Sequence, residues 1–129
     1  MGNDNMSENN KLIFLDGETI YHKTVPETVV EQIKRICEEN NIYGTFEGEK
    51  CSYFRDHNVD FHPHYGFMIT AFDLAPYMAH EFTWDHVENP DKAIVFTGPG
   101  SNTSGFVDAL DSISDAMDYI RIDDTQYEI

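Results

Sequence analysis

His57, Asp60, His62 and His64 crowd one short stretch, and His80, Asp85 and His86 follow further on. Imidazole and carboxylate suit Zn²⁺ and other transition metals. If residues 61–65 were extended, His62 and His64 would project from one face, because strand side chains alternate. Pro63 between them argues against a strand, and nothing here has the sharpness of an HExxH or CxxC spacing. The expectation is therefore a surface loop with hydrogen-bonded or solvated histidines and no bound metal, with His57, Asp60, His62 and His64 as the candidate ligands. Trp84, with Phe82 and Tyr77 nearby, could line a pocket but more commonly such residues fill a core. Ser101 and Ser104 beside Gly98-Pro99-Gly100 could cradle an anion at a helix start. No Lys lies near them and Asp108 follows, so helix capping is expected instead.

The elements that would position these groups are legible from patterning. LIFL, an Asp16-Gly17 pair and ETIYH predict a β-hairpin over 11–22, since Gly accepts positive φ cheaply in a two-residue turn. Thr24 and Glu27 have the T-x-x-E form of a capping box, and Val29, Val30, Ile33, Ile36 and Cys37 then recur at helical spacing until Asn40-Asn41. Residues 42–46 and 50–54 predict a second hairpin with its turn at 47–49. The spacing leaves 55–90 open, because residues 66–72 suit a strand or a helix start and Pro63, Pro76 and Pro90 punctuate the segment. Residues 92–97 read as a buried strand. Phe106, Leu110, Ile113 and Met117 predict an amphipathic helix from about Asn102, with Asp108, Asp111, Asp115 and Asp118 on its other side. Residues 119–122 and 127–129 then predict strands around an Asp123-Asp124 turn. The result is an α+β fold, a mainly antiparallel sheet with two amphipathic helices on one face.

Composition bounds the function. The chain has 129 residues, 40% of them hydrophobic, which is enough for one domain with a core over 11–129. Residues 1–10 are polar and aperiodic, and are expected to be a flexible lead-in or an expression remnant. The net charge is −16, and beyond residue 64 the basic residues are Lys92 and Arg121 alone. Such a surface repels phosphates and anionic lipid, so neither ordinary nucleic-acid binding nor membrane association is expected. No apolar stretch approaches the ~20 residues of a membrane span, and Cys37 and Cys51 form no disulfide framework, so a cytoplasmic location is expected.

The hairpin LDGETIYHKTVP, the helix and strands of PETVVEQIKRICEENNIYGTFEGEK, the phrase ENPDKAIVFTG and the terminal Tyr127-Glu128-Ile129 together resemble the cap, or substrate-specificity, domain of Cof-type haloacid-dehalogenase-like phosphatases, a C2-type cap. The run IFLDGET is similar on its face to the nucleophile loop of that superfamily, a strand ending in DxDxT. Here the second acid is Glu18 and Thr19 comes one place early, so the hairpin-turn reading of Asp16-Gly17 stands. The resemblance implies that the nucleophile, the acid/base group, the phosphate-binding Lys and the Mg²⁺ ligands lie in a separate catalytic core. This chain would then hold no catalytic residue and no cofactor. Its partners would be that core and a phosphorylated small molecule, and it would be inactive alone. A stand-alone acidic interaction protein, such as an inhibitor or nucleic-acid mimic, is the alternative, and a small metal- or ligand-binding domain is a third.

Overall fold

The computed structural model of this protein describes residues 13–15, 18–21, 24–113 and 120–129. Strands β1 (Ile13–Leu15) and β2 (Glu18–Tyr21) pair antiparallel, with Leu15 opposite Glu18. This is the expected first hairpin, and its Asp16-Gly17 turn lies outside the described residues, as do residues 1–10, Met117, Asp115 and Asp118.

Helix α1 spans Glu27–Asn40, and Val29, Val30, Ile33, Ile36 and Cys37 are its buried residues, the apolar stripe read from the sequence. The capping box does not form. The N-cap is Pro26, without a side-chain cap hydrogen bond, and its carbonyl accepts the N–H groups of Val29 and Val30. Val25 explains the shift: it is buried, its N–H donates to Pro90 O at 2.8 Å, and a residue before proline is held extended. Thr24 is thereby kept two residues too early to cap. The helix stops at Asn41, whose φ of 56° is left-handed, a conformation Asn tolerates better than most residues.

Strand β3 (Tyr43–Gly48) pairs antiparallel with β4 (Ser52–Phe54). Their turn sits at 49–51, later than expected, closed by Gly48 N–H donating to Cys51 O at 2.9 Å. Then follow α2 (Pro63–Leu74), β5 (His80–Glu81), β6 (Pro90–Phe96), α3 (Thr103–Ile113), β7 (Ile120–Asp123) and β8 (Gln126–Glu128). The six-stranded sheet runs β5-β4-β3-β6-β8-β7. Every pairing in it is antiparallel except β4 with β5.

Because strand side chains alternate, each central strand feeds two cores. Phe46, Tyr53, Ala93, Val95 and Tyr127 pack with the stripes of α1 and α3, where Phe106 and Leu110 are buried. The α+β architecture, with α1 and α3 together on one face of the sheet, is therefore present. Phe54 and Phe96 point the other way and pack under Phe61, Tyr65 and Ile69. The second face thus belongs to α2, the element that the sequence leaves open. Trp84 is a core residue, as expected: it is buried against Phe46, with ring centroids 5.0 Å apart, and its Nε1–H donates to Tyr53 O at 2.8 Å.

One end of the sheet gathers several features. Gly48 pairs with Pro90 there, Val25 bonds Pro90, and Ile129 exchanges two backbone hydrogen bonds with Ala93. The segment leading into α1 and the end of β8 thus both bond β6, the first at Pro90 and the second at Ala93. No helix among the described residues is long and apolar enough to cross a membrane.

Candidate functional site

His62 and His64 are neighbours, but no three of the four candidate ligands converge on one point. His57 Nε2 lies 2.8 Å from Asp73 Oδ2 near the end of α2, with its ring edge-on to Phe82. His62 is the N-cap of α2: its Nδ1 accepts the His64 N–H at 3.0 Å. A nitrogen that accepts carries no proton, so in neutral His62 the proton is on Nε2, which lies 2.9 Å from Thr125 Oγ1. Thr125 in turn donates to Asp123 Oδ1 at 3.1 Å. Burial is the main influence on His62 and holds its pKa below the usual histidine range, with Asp123 opposing. His64 lies over Phe67 and beside Phe96, and Asp60 is exposed.

One nitrogen of His62 therefore caps α2 and the other ties it to the turn between β7 and β8. Among the described residues no group of three His, Cys, Asp or Glu side chains converges to hold a metal. Purified without a histidine tag, the protein is expected to carry less than about a tenth of an equivalent of zinc, since a structural site binds its ion far more tightly than that. Elemental analysis checks this, and near-stoichiometric metal would contradict it.

The Ser101 region also satisfies itself. Ser101 Oγ accepts the Gly98 N–H at 2.9 Å and donates to Asn41 O at 2.6 Å. Asn102 Oδ1 accepts the Gly105 N–H at 3.1 Å, which caps α3. These are the donors an anion would have needed.

Two features have no counterpart in the sequence reading. Lys92 Nζ stands 3.8 Å from Glu47 Oε1 and 3.8 Å from Glu128 Oε2, on the end of the sheet where Val25 and Ile129 lie. Desolvation, opposed by Lys92, raises the pKa of Glu47 above the ordinary glutamate value. Cross-strand register alone brings these three together: Glu47 is opposite Lys92, and Ile94 opposite Glu128. The second feature is apolar. Phe67, Leu74, Tyr77 and Met78, on α2 and the turn after it, are large hydrophobic residues left exposed. Its signal in the sequence is the near absence of charge between Pro63 and Met78, where Asp73 is the one charged residue apart from His64.

No family model matches this chain, and no curated protein does. Among solved structures, a haloacid dehalogenase-like hydrolase from Bacteroides thetaiotaomicron is similar in fold, with a TM-score of 0.57 and 12% sequence identity. The match covers 87% of this chain and 41% of that one. The protein thus shares its fold with a portion, less than half, of a haloacid dehalogenase-like hydrolase.

Proposed function

We propose that this protein is the cap domain of a haloacid-dehalogenase-like phosphatase of the Cof type, a lid that closes over and selects phosphorylated small molecules. The observation that carries the reading is the fold likeness, which takes in 87% of this chain and only 41% of the hydrolase. Two features support it. The order helix-strand-strand occurs twice, as α1-β3-β4 and α3-β7-β8. The strands of both repeats also meet in one sheet, β3 and β8 flanking β6 on either side.

In this role the chain contributes exclusion of water and choice of leaving group, while the chemistry belongs to the core. Phosphoryl transfer needs a positioned nucleophile and Mg²⁺ neutralising the developing charge. Among the described residues no three of the donors above gather to hold Mg²⁺, and the proposed role assigns them no catalytic step. With Mg²⁺ and a generic phosphate ester, the chain alone is expected to give no turnover above the uncatalysed rate. Appreciable Mg²⁺-dependent hydrolysis by the purified chain would overturn the proposal.

A further inference from the structure

Helix α2 differs from α1 in the face it turns outward. On α1 the outward positions are Glu31, Gln32, Lys34, Arg35, Glu38 and Glu39, the usual composition of a solvated face. On α2 the inward positions Tyr65 and Ile69 are buried, while Phe67, Thr70, Ala71 and Leu74, spaced i, i+3, i+4 and i+7, form an exposed stripe. Phe67 is 68% exposed and Leu74 81%. The stripe runs for about 10 Å at a rise of 1.5 Å per residue and continues into Tyr77, 87% exposed, and Met78, 48% exposed. A helix that is apolar on both sides is built to be covered on both, and contiguous exposed apolar surface of this kind marks an interaction site.

What covers it is indicated by where it ends. Ala79 O accepts the Ser52 N–H, and His80 pairs with Ser52, so the Tyr77-Met78 turn reaches the sheet end that holds Gly48 and Pro90. Three strand spacings of about 4.8 Å, or about 14 Å, separate it from β6, where Val25 and Ile129 lie. The rim at this end is acidic on balance: Glu81 and Glu88 act on Cys51, and Asp91 and Glu128 on Glu47, against the two bases Lys50 and Lys92. An acidic rim favours a partner with basic residues around an apolar centre, and it disfavours an anionic lipid surface or a second copy of a chain whose charge is −16.

We infer that the outward stripe of α2 and the Tyr77-Met78 turn form the surface that docks on the catalytic core of the same polypeptide. The assignment rests on the cap reading and adds to it the residues that make the contact. The core segment facing it is apolar at its centre and carries Lys or Arg at its edge.

Hydroxyl-radical footprinting read by mass spectrometry tests the surface, applied to this chain alone and to the full polypeptide its coding sequence encodes. Oxidation at Tyr77 and Met78 is expected to be at least about fivefold slower in the full polypeptide, since susceptibility follows exposure. In the full polypeptide, Tyr77→Glu is expected to restore fast oxidation of Met78 and to lower kcat/KM at least about tenfold, a change of about 1.4 kcal/mol. Unchanged oxidation in a full polypeptide that hydrolyses phosphate esters would overturn the surface and leave the cap reading standing. Protection that grows with concentration in this chain alone would also overturn it, in favour of self-association. A coding sequence with no flanking segments, or a full polypeptide with no Mg²⁺-dependent turnover, would remove the cap reading, and the docking surface with it.

Discussion

Replacing Phe46 with Ala is expected to destabilise the protein by about 3–5 kcal/mol, the range for truncating a fully buried aromatic residue. Phe46 is 0% exposed and sits on β3, which is bonded on one side to β4 and on the other to β6. Its ring meets Trp84 at 5.0 Å, edge to face, and belongs to the core that α1 and α3 share. Strands on both sides and helices above leave the cavity little room to collapse, which places the cost in the upper part of the range. The denaturant midpoint should fall while the slope m holds, because the surface exposed on unfolding barely changes. A loss below about 1 kcal/mol would show that this side of the sheet is not the close-packed core described here.

The second large effect is expected at Gly66, on the face of α2 turned to the sheet. A Cβ there would stand 2.1 Å from the carbonyl oxygen of Val59 and 3.1 Å from its carbonyl carbon. That obstacle is backbone, not the movable end of a side chain. Gly66→Ala removes a helix-interior glycine, which by itself stabilises by about 1 kcal/mol. Overpacking against a fixed carbonyl costs roughly 1–3 kcal/mol, and here more than that, because a contact so short forces α2 away from the 56–61 loop. The net expectation is a loss of more than about 2 kcal/mol, with Tyr65 and Ile69 partly unseated from Phe54 and Phe96. Thermal melting decides it: a rise in Tm would mean that α2 sits less closely on Val59 than described.

The legible part of the fold is the part with a single periodicity. The stripe of α1 is buried residue for residue, and the strands around β6 follow from apolar runs bounded by Pro and Gly. The segment 55–90 resists because α2 is apolar inward at Tyr65 and Ile69 and outward at Phe67 and Leu74, so no helical period stands out. Pro63, read as an obstacle to a strand, is at the first helical position, where its missing N–H costs nothing. The Thr24 capping box fails for a tertiary reason, the bond from Val25 to Pro90, which no local pattern contains.

The candidate site was less legible than the fold. His62 and His64 look like ligands by type and spacing, yet one histidine nitrogen caps the helix that carries the other. The Lys92 cluster depends on strand register, and the outward stripe of α2 is visible only once the segment is known to be helical. The family resemblance, by contrast, rests on the order of elements, and the fold likeness supports it only as far as a haloacid dehalogenase-like hydrolase, the cap role and the Cof type remaining proposals.

In the proposed cap role, this chain selects substrate for a core that does the chemistry. The most direct measurement compares kcat/KM over a panel of phosphate esters for the full encoded polypeptide and for a variant in which a short linker replaces residues 25–129. The account predicts Mg²⁺-dependent hydrolysis by the full polypeptide, and a variant that still cleaves small generic esters while its discrimination among larger ones collapses. Hydrolysis with the same substrate preferences in both proteins would contradict it.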